Sequence, residues 1–388
     1  MKTGLTSVSI VQVNYVFDET LADPDALLAR YTTLSGWSDA LLAAGARRAA
    51  VVQRFRRDAR VTRGGVEYIF VRGDLRAAVA GAAADVVHVN GLAFAAQTWR
   101  LRRALPSATA IVVQNHSDTG PMGRAPVQRL VGRLARGAAD AFLFAADEHV
   151  DRWRRAGFIA PGQATYQVME ASTRVAPVDR DAARSATGVA GAPAALWVGR
   201  LNANKDPLTV LAAFERAIDA LPRATLTMIY SEDDLLREVR ALLAPATALA
   251  ERVRLVGRVP HEHLASFYSA ADLFVLGSRH EGSGYAVIEA LACGASPIVT
   301  DIPTFRLLTA NGSCGALWPA GDADACARAI AAVAGRDLAA ERRRVLDHFE
   351  RHVSWAAVGR RALEIYAAVL RIRRGGGLGI GDWGLGIR

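Results

Sequence analysis

Lysine is almost missing from this chain of 388 residues: of its 47 Lys and Arg side chains, only Lys2 and Lys205 are lysine. Arginine carries nearly all the positive charge, so a lysine in the interior of the sequence is compositionally unusual. Cysteine is as scarce. Cys293, Cys314 and Cys326 are odd in number, lack CxxC spacing and sit in apolar surroundings, which argues against a disulfide scaffold or a thiolate metal site and predicts buried, reduced thiols. No apolar run reaches the roughly 18 residues that cross a bilayer. The richest stretch, 77–96, is interrupted by Asp85, His88 and Asn90. The first residues hold one lysine and then Thr3, Gly4, Thr6, Ser7 and Ser9, so no secretory leader is expected and a cytoplasmic location is.

Several catalytic signatures are also missing. A Walker A loop needs glycine directly before its lysine so that the backbone can wrap phosphate, but Lys2 follows Met1 and Lys205 follows Asn204. GxSxG and HExxH do not occur, which removes support for serine-hydrolase and zincin chemistry, and no metal set is expected. GxGxxG occurs once, at Gly379, Gly381 and Gly384, with no strand before it and no room for a helix after it. The last fourteen residues, 375–388, are half glycine and are expected to form a disordered tail.

What remains is an ordinary globular balance, 51% hydrophobic and 22% charged, over a length that suits two domains. The net charge of +9 is uneven: residues 1–185 hold 24 basic against 17 acidic side chains, and the rest hold 23 against 21. Short Val/Ile-rich runs at 8–13, 49–53, 66–71, 85–89, 110–113 and 141–145 read as strands of a parallel sheet covered on both faces. Pro177, Gly188, Gly191 and Pro193 punctuate a stretch where periodicity stops, the expected hinge. A second series follows, with strands at 195–198, 225–230, 253–256, 273–276 and 297–300 and helices at 207–221, 233–243, 261–270 and 284–293. Two such units predict a ligand cleft at the carboxyl ends of their strands. The expected division is 1–180, 190–352, a C-terminal helix over 353–374, and the tail.

Two constellations carry chemistry. After the strand 273–276 comes Ser278-Arg-His-Glu281-Gly-Ser-Gly284-Tyr-Ala-Val-Ile-Glu289, where a glycine turn and a helix start offer free N–H groups to a phosphate. Glu281, before the helix, and Glu289, about two turns in, can accept hydrogen bonds from vicinal sugar hydroxyls. A helix cap and a solvated carboxylate are the bland alternative. The other is Val198-Gly-Arg200-Leu-Asn-Ala-Asn-Lys205-Asp-Pro207, two cations five residues apart at a strand end, suited to a diphosphate. In the N-terminal half, two strands deliver Asn90, Gln114, Asn115 and His116 to one sheet edge, where His116 either meets a sugar hydroxyl or a reacting oxygen, as a catalytic candidate beside Glu281, or serves the loop alone. The runs Arg54, Arg56, Arg57, Arg60, Arg63 and Arg100, Arg102, Arg103, and Arg152 to Arg155 around Trp153, suit an anionic membrane or acceptor, or plain solvation.

The stretches VGRLxxxKDP, VRLVGRVP and ADLFVLGSRHEGSGYAVIEALACGASPIVTD, in this order, resemble the retaining GT-B glycosyltransferases of family 4, the glycosyl transferases group 1, and Glu281 and Glu289 match their Glu-x7-Glu motif. The resemblance implies an α/β GT-B fold: two Rossmann-like doubly wound domains facing a central cleft, with the C-terminal helix returning to the N-terminal domain. It implies metal-independent transfer of a sugar from a nucleoside diphosphate sugar, UDP favoured over GDP, to a hydroxyl of a glycan, glycolipid or small molecule. Arg200 and Lys205 would hold the diphosphate, Glu289 the ribose, Glu281 the donor sugar, and the backbone of Gly282, Ser283, Gly284 and Tyr285 the sugar and phosphate. Arg258 would lie near the base. The chain departs from the family at Tyr15-Val-Phe-Asp18, where many members have paired glycines, and at Tyr230-Ser-Glu-Asp-Asp234. The competing readings are a GT-B epimerase, a two-lobed binding protein and, from pI near 10 alone, a nucleic-acid binder. No nucleic acid is expected; peripheral contact with the inner face of an anionic membrane is.

Overall fold

The computed structural model describes residues 8–116, 126–244 and 247–375. The chain divides into two compact units, residues 1–170 with 359–388, and residues 171–358. The glycine-rich motif at 379–384 and nearly all of the expected tail lie outside the described residues.

Unit 1 is built on an eight-stranded sheet in the order β3-β4-β2-β1-β5-β6-β7-β8. Its strands are β1 (Ser9–Asn14), β2 (Arg48–Arg54), β3 (Ala59–Arg63), β4 (Val66–Val71), β5 (Val86–Asn90), β6 (Ala110–Gln114), β7 (Ala141–Phe144) and β8 (Ala164–Gln167). The helices are α1 (Pro24–Arg30), α2 (Thr32–Ala43), α3 (Arg76–Gly81), α4 (Ala95–Ala104), α5 (Pro126–Ala135) and α6 (Asp147–Arg155). Strands β1, β6 and β7 are buried throughout, as expected of parallel strands covered on both faces. The expectation of a wholly parallel sheet fails at one edge: β3 pairs antiparallel with β4. Gly64 and Gly65, both at positive φ, close the hairpin, and the exposed strand ARVTR blunts the edge with charge.

Unit 2 carries a six-stranded parallel sheet, β11-β10-β9-β12-β13-β14. The strands are β9 (Ala194–Gly199), β10 (Thr225–Tyr230), β11 (Val253–Gly257), β12 (Leu273–Leu276), β13 (Ser296–Thr300) and β14 (Ala316–Trp318). Around them lie α7 (Arg180–Thr187), α8 (Pro207–Ala217), α9 (Leu236–Leu243), α10 (Ala248–Arg252), α11 (Leu264–Ala270), α12 (Tyr285–Ala292), α13 (Pro303–Leu308), α14 (Ala323–Ala334) and α15 (Leu338–His348). The stretch expected to be a hinge contains α7, and the division between the units falls just before it, after Glu170. Asp179 caps it by accepting from Ala182 N at 2.9 Å, Gly188 ends it in the left-handed conformation, and Ala183 packs with Ala194 and Ala270. Arg180 and Arg184 both pair with the buried Asp272. These long-range contacts hold a helix whose own apolar pattern is too thin to be read. The three cysteines are buried and free, and burial raises their thiols, Cys293 to about 11 and Cys314 to about 12.

The last helix, α16 (Trp355–Arg374), spans the division between the units, and its larger part belongs to unit 1. There Tyr366 accepts a hydrogen bond from Trp37 Nε1 at 3.1 Å and meets His88 Nδ1. Gly359 lies so close to α2 that a Cβ would fall 2.3 Å from the carbonyl oxygen of Ala40. His88 is fully enclosed, and burial lowers its pKa to about 3, so the ring is neutral. Trp153, expected on the surface among arginines, is 1% exposed and stacks edge-on against Phe158. Val150 and Trp153 form the inward face of α6, and the neighbouring arginines face out.

Candidate functional site

In unit 2 the site is assembled by two loops at the carboxyl ends of β9 and β12. Pro207 starts α8, and Asp206 caps it by accepting from Thr209 N at 3.3 Å, which turns the preceding loop back over the strand end. Asn204 ties this loop to the second one. Its Nδ2 donates to His280 O at 3.1 Å, its Oδ1 accepts from His280 N at 3.1 Å, and its carbonyl accepts from Arg279 N at 2.8 Å. Arg279 pairs with Asp206 at 2.7 Å. Gly277 lets the strands of backbone meet, since a Cβ there would stand 3.0 Å from Asp206 O.

This clasp brings Lys205 Nζ onto Glu281 Oε1, across 76 positions of sequence, with the two side chains 12% and 13% exposed. Arg200 goes elsewhere: its guanidinium lies 3.7 Å from Glu232 with both side chains about half exposed. The sequence reading placed Arg200 and Lys205 on one ligand; here each faces its own carboxylate. Arg258 follows β11 and is exposed.

The segment Gly282–Tyr285 turns into α12 through Gly284, whose φ of +70° suits glycine and whose Cβ, were there one, would stand 3.0 Å from Leu308 Cδ1. Among the described residues no side-chain hydrogen bond caps this helix, and the N–H groups of Val287 and Ile288 close its first turn on Gly284 O at 2.9 and 3.1 Å. Thr304 holds the turn by donating to the carbonyls of Glu281 at 2.8 Å and Gly282 at 3.2 Å. Glu289 stands one turn into α12, not two as the sequence suggested, because the helix begins at Tyr285. Its carboxylate is buried and bonded to His261 Nε2 at 2.8 Å. Burial first, and the neighbouring Glu289 second, hold the Tyr268 phenol well above its ordinary range. The bland reading of Glu281 as a cap and Glu289 as solvated is therefore not what the fold builds.

In unit 1, Asn90 ends β5 and Gln114 ends β6, as their pairing requires. His116, two residues on, is fixed by Glu170 Oε2 at 2.7 Å on Nδ1 and by Asn90 Oδ1 at 3.2 Å on Nε2. A cavity of about 470 Å3 opens here, with Gln12, Asn14, Trp37, Asn90, His116 and Glu170 among its walls. Sequence reasoning missed Glu170, which follows β8 in a stretch without periodicity, along with Asn204, Thr304 and the link from His261 to Glu289. Among the described residues no three His, Cys, Asp or Glu side chains are grouped to hold a metal ion, and no helix is long and apolar enough to cross a membrane.

The architecture is that of the GT-B glycosyltransferases. A glycosyltransferase structure from Rickettsia africae superposes with a TM-score of 0.69 at 14% identity, over 94% of this chain and 99% of that one. An Anabaena protein solved in complex with UDP and glucose does so with a TM-score of 0.62 at 16% identity, over 93% of this chain and 100% of that one. More particularly, residues 192–335, the bulk of unit 2, match the family described as Glycosyl transferases group 1. Among curated relatives, the GDP-mannose:cellobiosyl-diphosphopolyprenol alpha-mannosyltransferase of Xanthomonas oryzae is 30% identical over 182 residues, 46% of this chain and 48% of the relative. The chain spans about half the length of the first curated relatives it matches.

Proposed function

We propose that the protein is a retaining glycosyltransferase that moves a sugar from a nucleoside diphosphate sugar to an acceptor hydroxyl without a metal ion. The observation that carries this reading is the clasp between the β9 and β12 loops, which sets Lys205 and Glu281 together beside an uncapped helix start. A diphosphate is favoured by a compact cation and by the positive end of a helix, and a sugar needs carboxylate acceptors of fixed direction. Lys205 and Arg200 would take the diphosphate, the backbone of Gly282–Tyr285 its oxygens and the sugar, Glu281 the sugar hydroxyls, and Glu289 the ribose. Arg258 would face the base. The relative named for GDP-mannose and the neighbour solved with UDP support a nucleotide donor without choosing its base. Uridine is the first base to test.

In the reaction, the bond between the anomeric carbon and the phosphate oxygen breaks as the acceptor oxygen bonds that carbon on the same face. The acceptor proton passes to the departing phosphate oxygen, so no separate base is needed. Lys205, Arg200 and the start of α12 absorb the charge that develops on the leaving group, at about 3 kcal/mol for each well-placed donor. His116, oriented by Glu170, is assigned to a sugar hydroxyl or the reacting oxygen. Acceptor binding is assigned to the cavity of unit 1, for a glycan, glycolipid or small molecule. Thermal stabilisation by UDP, GDP and ADP tests the donor assignment, and NMR of the product anomer tests retention. No stabilisation by any of the three at millimolar concentration overturns the reading.

A further inference from the structure

Helix α5 turns an unusual face outward. Val127, Leu130 and Leu134 are 70%, 56% and 75% exposed and recur at i, i+3 and i+7 along one side. The opposite side is committed to the core. Gly132, two positions from Leu130 and so on the other side of the helix, sits so tightly on Phe158 that a Cβ would fall 2.2 Å from its ring. The apolar stripe therefore cannot roll inward. Along its flank Arg129 and Arg133 of α5 and Arg152 and Arg155 of α6 line one groove together with Leu130. Arg133 Nε donates to the carbonyl of Ala156 at 3.1 Å and Arg155 Nε to that of Asp151 at 3.3 Å, partners that fix the side chains without cancelling their charge. The acidic residues on this side, Asp147, Glu148 and Asp151, belong to α6, and Asp151 lies 3.9 Å from Arg154.

We propose that this face of α5 and α6 docks on an anionic lipid bilayer, with Val127, Leu130 and Leu134 entering the acyl boundary and the four arginines lying at lipid phosphates. Exposed aliphatic side chains on one helix, flanked by arginines of that helix and of its neighbour, have the make-up of an interfacial surface. Charge complementarity selects the occupant. A second copy across a twofold axis would set these arginines against their own equivalents, which Coulomb repulsion opposes. The expected membrane contact thus moves away from the run Arg54 to Arg63. There Arg60 pairs with Glu67 and Arg63 with Asp25, and among the described residues no stripe of exposed aliphatic side chains accompanies the run. The proposal stands apart from the catalytic reading and does not depend on it.

The test is co-sedimentation of the full chain with vesicles of phosphatidylcholine alone and of an equal mixture with phosphatidylglycerol. The wild type is expected to bind the mixed vesicles and to leave phosphatidylcholine in solution. Leu130→Ser with Leu134→Ser, which changes no charge, is expected to weaken binding by about tenfold or more. Arg129→Glu with Arg133→Glu is expected to weaken it by at least about 25-fold, and Arg56→Glu with Arg57→Glu, the same change in charge, by no more than about twofold. Circular dichroism checks folding, and Leu134→Ser alone serves should the double variant melt. Failure of the wild type to bind, equal losses from the two charge reversals, or a wild-type dimer that the leucine variant turns into a monomer would each overturn the proposal.

Discussion

Removing the ammonium of Lys205 and removing the charge of Glu281 should have opposite effects on the nucleotide. The pair is nearly closed to water, so a charge-assisted hydrogen bond of ~1.5–3 kcal/mol is a fair scale for it. Lys205→Ala leaves Glu281 charged, poorly solvated and alone, which should cost ~3 kcal/mol of stability. Unit 2 spans residues 171–358, and for a domain of that size each kcal/mol is about 2–4 °C, so its melting should fall by about 6–12 °C. Glu281→Gln keeps an acceptor for Lys205 and should cost only ~1 kcal/mol. Binding separates the two further. If Lys205 holds the diphosphate, Lys205→Ala weakens UDP by about 10- to 100-fold, which is the same ~1.5–3 kcal/mol. Glu281→Gln should leave UDP affinity unchanged or raise it, because a competing carboxylate has gone from the cation, while turnover is lost. Calorimetric titration of both variants with UDP and GDP reads this directly. Equal weakening by both substitutions would mean that Glu281 touches the nucleotide itself, and no weakening by either would remove Lys205 from the phosphate site.

Other outcomes follow from the geometry. Gly284→Ala should lose about 1–2 kcal/mol and weaken nucleotide binding, because a methyl there meets Leu308 and Phe305 at a positive φ; normal affinity in a folded variant would show that the turn is not a phosphate cradle. Glycosyl transfer should survive EDTA, the leaving group being served by Lys205, Arg200 and the α12 start; activity lost to the chelator and restored by Mg2+ would contradict this. Stability should depend on His88. Its pKa is about 3 in the fold against 6.5 unfolded, so the unfolded chain binds the extra proton, and stability present above pH 6.5 is lost as pH falls toward 3, by at most about 1.4 kcal/mol per pH unit. Urea melts of wild type and His88→Leu across that range should diverge; parallel curves would refute the assignment.

The parallel strands were legible as short runs of β-branched and aliphatic residues set off by polar or glycine-containing stretches; 66–71, 225–230 and 273–276 were placed to the residue. Pro207 announced a helix start, because its fixed φ suits the first helical position. Strand β3 was not legible, since a solvent-facing edge of ARVTR has no apolar alternation, and β8 is only half-buried along its length. Within the site, the residue types of Lys205, Glu281, Glu289 and His116 were readable from their neighbours. Their partners were not: Glu170 lies 54 positions from His116 and Glu281 lies 76 from Lys205, and only the sheet order makes them adjacent. Trp153 misled because its arginine neighbours are visible in sequence, whereas the i, i+3 relation to Val150 that turns it inward was passed over.

The route of the chain through unit 1 has a consequence for synthesis. Unit 1 is interrupted after Glu170 and resumes at Gly359, while unit 2 is continuous. At ribosomal speeds of about 5–20 residues per second, roughly 10–40 s pass between the two halves of unit 1. Throughout that interval His88 and Trp37 wait for Tyr366, and the carbonyl of Ala40 waits for Gly359. The nascent protein must carry an unfinished N-terminal core until α16 emerges. A chain stopped by a nonsense codon just before Gly359 would keep every residue of unit 2 and still never complete unit 1.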